Sequence, residues 1–191
     1  MHLDLKPPNI LLDKSLSPKI CDLGMAKFVS SEDDHSYRTK DWQTGTPGYM
    51  PPEMTKIKKG DYYSPKCWDV FSMAMVMYYL WTGIHPLNEY ENAFIINDEI
   101  HKGTRPILPP IMPQHIREIV RKMWHQTYQE RPSIHEVNLL LTNYFYQTNS
   151  TQQSTESFSR LDEESFSHGS HEDNTPNSVQ MSSLNDSLLS N

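Results

Sequence analysis

"HLDLKPPNILLD", residues 2–13, is the stretch from which the rest of the chain is read. One loop there carries an aspartate (Asp4), a lysine two positions on (Lys6) and an asparagine (Asn9). Two short apolar runs follow, "NILLD" at 9–13 and "PKICD" at 18–22, with "KSLS" between them. Their length and spacing predict a small β-hairpin. A second aspartate, Asp22, stands just after the hairpin in "DLG".

Outward from this point the chain turns helical. Residues 24–63 are polar, charged and punctuated by Gly and Pro, the composition of a long loop. "SPKCWDVFSMAMVMYYLWTG" (64–83) predicts a helix, with Ser64 as N-cap, Pro65 at the first position and Gly83 ending it. It is apolar on nearly every face, so it belongs at the centre of a domain. Three amphipathic segments follow at 88–103, 113–126 and 132–147, the last opened by a Ser133/Glu136 capping box. The fold class expected is mainly α, with one small hairpin. From residue 147 the chain holds 12 serines in 45 positions and little apolar surface, which predicts a disordered tail over 147–191.

Composition excludes several classes. The chain has 191 residues and a formal charge of −7, of which the tail carries about −6. Residues 1–146 are near neutral, so there is no basic face for nucleic acid. The longest apolar run, 70–81, is 12 residues against the roughly 20 a membrane span needs. Two cysteines, Cys21 and Cys67, make no disulfide framework and no metal spacing. A reducing, cytoplasmic location is the expectation. Cys21 reads as a small buried residue, and His168, His171 and Ser170 of the tail as solvated groups.

The polar set on the opening loop suits phosphoryl transfer. That reaction needs a base to orient a hydroxyl, a cation at the γ-phosphate and hard oxygen ligands for Mg²⁺. Asp4, Lys6, Asn9 and Asp22 are residues of those types. "HLDLKPPNILLD" followed by "KICDLG" closely resembles the catalytic loop and metal-binding motif of eukaryotic protein kinases. "GTPGYMPPE" (45–53) resembles the end of their activation segment. "DVFSMAMVMYYLWTGIHP" (69–86) looks like the central helix of their C-terminal lobe, and "ERPSIHEV" (130–137) like their late Arg-containing motif. The resemblance covers residues 1–146, four motifs in order, and leaves 147–191 as tail.

It implies a C-lobe fold, ATP and Mg²⁺ as cofactors and a protein as substrate. It implies Asp4 as catalytic base, Lys6 on the γ-phosphate, Asn9 and Asp22 as Mg²⁺ ligands, and Leu11 with these as nucleotide contacts. Thr46 would bond the catalytic loop beside the incoming hydroxyl. Glu53 and Arg131 would form a buried ion pair, and His2, Leu23 and Asp69 an internal stack. Lys6-Pro7 is the serine/threonine form of the loop. "GTRPILP" (103–109) and "MWHQTYQERPSI" (123–134) are similar to the tyrosine-kinase-like group.

Two departures matter and two are mild. Leu3 replaces the arginine that commonly pairs with a phosphorylated activation segment, so switching through Thr39 or Thr44 is not expected. "DLG" and "PPE" are mild variants. None of the seven glycines forms a Gly-rich loop, and no N-lobe precedes Asp4 within this chain. The expectation is therefore a kinase C-lobe, incomplete at its N-terminus and inactive by itself, whose central helix exposes part of an apolar face. The alternative is a lobe-only, non-catalytic interaction protein.

Overall fold

The structure, a computed structural model, describes residues 1–27, 45–55 and 67–148. Residues Met1–Gln147 form one compact unit. After a single turn at Pro7–Asn9, strands β1 (Ile10–Leu12) and β2 (Pro18–Ile20) pair antiparallel, with Ile10 opposite Ile20 and Leu12 opposite Pro18. The hairpin is tied at its tip by Asp13. One of its carboxylate oxygens accepts from the Ser15 and Ser17 amides, both at 2.9 Å, and from the Ser15 hydroxyl at 2.6 Å. These bonds hold the Asp13 carboxyl below the usual carboxylate range.

Helices follow. They are α1 (Pro52–Thr55), α2 (Trp68–Thr82), α3 (Ala93–Lys102), α4 (Gln114–Met123) and α5, over residues 134–148. The α2 helix is the hub. Val70, Phe71, Ala74 and Met75 are buried with Ile100 of α3, Ile116, Val120 and Met123 of α4, and Val137 of α5. On α4 the buried positions 116, 119, 120 and 123 repeat at helical spacing, so one stripe meets the core and the basic remainder faces water. A second, smaller cluster joins Leu3, Met50, Met54 and Trp68, and bonds the opening loop to α1 and the start of α2.

The expected boundaries shift at several places. Part of the stretch read as loop, Pro52–Thr55, is helical. The third helix begins at Ala93 rather than 88, because Asn92 caps it by accepting from the Phe94 amide at 2.7 Å. Gly83 ends α2 as expected, in the left-handed region at φ 67°, with its amide on the Tyr79 carbonyl. The Ser133/Glu136 box is present: the Ser133 amide donates to Glu136 Oε2 at 2.7 Å and the Glu136 amide to Ser133 Oγ at 3.2 Å. The proposed caps at Ser64 and Pro65, the sites Thr39 and Thr44 and the tail residues beyond 148 lie outside the described residues.

Burial on α2 is uneven. Its first half is enclosed, whereas Leu80 is 72% exposed. An apolar groove of about 500 Å³ opens where Met73, Met77 and Trp81 of α2 meet Ile116 of α4 and Ile134 and Phe145 of α5. Among the described residues no helix is long and apolar enough to cross a membrane.

Candidate active site

The opening loop is held in place by α2. Asp69, in the first helical turn, accepts from the His2 amide at 2.7 Å and the Leu3 amide at 2.8 Å through its two carboxylate oxygens. A carboxylate there also meets the positive end of the helix dipole. His2 Nε2 donates to the Cys21 carbonyl at 2.9 Å and Nδ1 accepts from the Asp4 amide at 3.3 Å, which fixes the Nε2–H tautomer. Leu3 sits at φ 72° yet is almost wholly buried. That backbone costs about 1–3 kcal/mol for a non-glycine residue and persists because Asp69 and the Leu3–Met50–Met54–Trp68 cluster fix both sides of it.

The result is a compact polar group around Asp4, itself buried. Thr46 Oγ1 donates to Asp4 Oδ1 at 2.7 Å, and Lys6 Nζ lies 2.8 Å from both Thr46 Oγ1 and Asp4 Oδ2. Asn9 Nδ2 donates to the Asp4 carbonyl at 2.8 Å and lies 3.3 Å from Asp4 Oδ2. Thr46 is 42 residues from Asp4 in sequence, so the fold alone brings them together. Asp4, Lys6, Asn9 and Thr46 thus form one hydrogen-bonded set.

Asp22 is placed differently. The Cys21 amide donates to the Asn9 carbonyl at 3.0 Å, which sets Asp22 at the exit of the hairpin that Asn9 enters. Asp22 is exposed, left-handed at φ 61°, and its carboxylate accepts from the Gly24 amide at 3.3 Å. Leu11 is 55% exposed on β1. Leu23 does not join His2 and Asp69 in a buried stack; it is 68% exposed, because nothing among the described residues covers it.

The donor chemistry fits a Mg²⁺–nucleotide. With Nδ2 of Asn9 turned to Asp4, its Oδ1 is directed elsewhere, and Asp22 adds exposed carboxylate oxygen. Two hard oxygen ligands completed by phosphates and water are what Mg²⁺ takes. A purely protein-built metal cage is absent among the described residues, which hold no group of three or more His, Cys, Asp or Glu side chains able to share an ion.

The buried ion pair that the resemblance implies is present. Arg131 Nη1 and Nη2 meet Glu53 Oε1 and Oε2 at 2.6 and 2.8 Å, with both side chains buried. Sequence reasoning missed one tether. The Tyr49 hydroxyl bonds His85 Nδ1 at 2.8 Å, joining the turn that carries Thr46 to the loop after α2. No spacing rule announces that contact, since the two residues are 36 apart and neither lies in a charged or metal-like pattern.

The protein kinase domain family matches residues 1–145. Receptor-interacting serine/threonine-protein kinase 4 of Mus musculus is 36% identical over 143 residues, covering 72% of this chain and 18% of that protein. Mitogen-activated protein kinase kinase kinase 7 of Homo sapiens is 34% identical over 145 residues, 75% of this chain and 22% of its own length. Dual specificity protein kinase shkB of Dictyostelium discoideum is 30% identical over 140 residues, 72% and 20% respectively. The chain belongs to the protein kinase family; its described residues are mainly helical with a small two-stranded sheet. It spans about a fifth of the length of these relatives.

Proposed function

We propose that residues 1–146 are the catalytic-loop lobe of a serine/threonine protein kinase of the tyrosine-kinase-like group, using ATP and Mg²⁺ on a protein hydroxyl. The observation that carries this reading is the set Asp4–Thr46–Lys6–Asn9, closed by bonds of 2.7 and 2.8 Å. Asp4 accepts the proton of the substrate hydroxyl as its oxygen bonds to the γ-phosphorus and the bond to the ADP oxygen breaks. Thr46 fixes the carboxylate rotamer, and Lys6 holds a positive charge where the transferred group gathers negative charge. Asn9 and Asp22 would hold Mg²⁺, which when bound neutralises phosphate charge and orients the leaving group.

The 191-residue chain by itself does not turn over ATP in this reading. No Gly-rich loop occurs anywhere in it to cover the phosphates, and Leu11 and Leu23 present uncovered apolar surface beside the site. The test is transfer of labelled γ-phosphate to a serine/threonine peptide mixture. The chain alone stays at the Asp4→Asn background. Joined to the nucleotide-binding lobe of a kinase relative, it gains activity that Asp4→Asn removes. A folded, nucleotide-binding fusion with no Asp4-dependent transfer refutes the kinase reading, and robust transfer by the chain alone refutes the requirement for a second lobe.

A further inference from the structure

The turn over residues 45–50 carries Thr46, whose hydroxyl donates to Asp4 Oδ1 and so helps aim the Asp4 carboxylate. The Thr46 carbonyl accepts from the Tyr49 amide at 3.0 Å and the Met50 amide at 3.2 Å, so turn and side chain move together. Tyr49 is the anchor of this turn. Its ring is buried in the main core, and its carbonyl accepts from Ser72 Oγ of α2 at 2.9 Å. Its hydroxyl reaches out of the core to His85.

His85 is exposed but not loose. Its ring lies against Tyr79 of α2 at 4.9 Å between centroids and 32° between planes, and meets the edge of Tyr49 at 6.1 Å and 81°. The loop that holds it is pinned at both ends. The Gly83 amide donates to the Tyr79 carbonyl at 2.7 Å, the Ile84 amide to Thr82 Oγ1 at 3.1 Å, and Leu87 is buried. A second contact joins the same two segments: a Cβ on Gly48 would stand 3.0 Å from the Pro86 carbonyl oxygen. Burial pushes the Tyr49 hydroxyl well above the ordinary tyrosine range, so the phenol stays protonated and shares a hydrogen bond with His85 Nδ1.

We propose that His85 is a positioning residue for the phosphotransfer site, acting through the Tyr49 hydroxyl to hold the 45–50 turn and with it Thr46 on Asp4. The inference rests on the kinase reading for its catalytic meaning, but the tether itself is physical and is read without turnover. Hydrogen exchange on the 191-residue chain is the direct assay. In His85→Ala the Tyr49 and Met50 amides exchange about 3- to 10-fold faster, the range one lost hydrogen bond supports, while amides of α4 keep their rates. Tyr49→Phe gives the same change, and the double variant is no faster than either single one. His85→Asn, whose Oδ1 falls near the place of Nδ1, restores the slow rates.

In the lobe fusion described above, His85→Ala lowers kcat for the peptide by a similar factor and leaves the KM for ATP unchanged. Unchanged Tyr49 and Met50 exchange in His85→Ala overturns the tether. So does acceleration that extends equally to α4, or additivity in the double variant. A fusion that stays inactive while exchange behaves as stated counts against the kinase reading and leaves the tether standing.

Discussion

Replacing Glu53 by glutamine removes one negative charge and almost no volume, so the variant isolates what that charge does. Arg131 is fully enclosed, with its side chain 0% exposed, and Glu53 is the acid paired with it. Its other hydrogen-bond partners are neutral: the carbonyls of His125 at 2.8 Å, Cys67 at 3.4 Å and Gln126 at 3.4 Å. A second cation is close by. The guanidinium carbons of Arg105 and Arg131 lie 4.9 and 5.0 Å from the centroid of the same ring, Phe71. Burial, and then the like charge of Arg131, already pull the Arg105 pKa down to about 10, and Glu53 is the charge that opposes this. Without it, a buried and a half-buried cation share one phenyl ring.

Leaving a buried charge unpaired costs about 3–5 kcal/mol. That is a large share of the roughly 5–15 kcal/mol that holds a domain folded. At a urea slope of about 2 kcal/mol per molar, the unfolding midpoint drops by about 2 M. Trp68 and Trp124, both buried, report the transition by fluorescence. The double variant Glu53→Gln/Arg131→Met removes both charges and recovers much of the loss. A Glu53→Gln midpoint within about 0.3 M of the parent, well inside what one exposed pair is worth, would refute the reasoning.

Other expectations follow from particular contacts. Gly48→Ala places a Cβ 3.0 Å from the Pro86 carbonyl at φ 87°, so the thermal midpoint falls by an amount equivalent to about 1–3 kcal/mol; an unchanged midpoint would mean the turn yields. Thr46→Val keeps the shape but not the hydroxyl bonded to Asp4 and Lys6, and lowers Asp4-dependent phosphotransfer in the lobe fusion about tenfold, measured as kcat. The α5 capping box gives a pH effect of defined sign. The Ser133 amide, then its hydroxyl, hold the Glu136 carboxyl below its ordinary value. Its stabilisation is complete above the ordinary glutamate range and is lost as pH falls through the lowered value. Amide exchange at the start of α5 rises over that interval, and Glu136→Gln flattens the profile.

Much of the architecture was legible before any coordinates. The helix after residue 67, its stop at Gly83, the hairpin of Ile10–Leu12 with Pro18–Ile20 and the Ser133 box all rest on local rules of periodicity and capping. The third helix starts late because the cap is made at Asn92, whose side chain accepts from the Phe94 amide, a choice that apolar spacing does not register. The four-residue helix Pro52–Thr55 hid in a polar, Pro-containing stretch, and it owes its place to Met54 entering the Leu3 cluster. Leu23 failed as a buried stacking residue, since burial needs a covering surface and the described residues supply none.

By itself the sequence determined which groups are available for chemistry: an aspartate, a lysine and an asparagine on one loop, with a second aspartate one hairpin later. Those assignments need only short-range spacing, because one loop and one hairpin set their relative positions. The family resemblance already implied that Thr46 meets the catalytic loop and that Asp69 aligns it; tertiary structure supplied the actual bonds across 42 and 66 residues, and it alone decided that His85 reaches Tyr49 across 36. Such contacts form only when the core around α2 closes. The energy of closing it is spread over many apolar side chains, and a contact outside the recognisable motifs, such as Tyr49 with His85, leaves no record in the sequence.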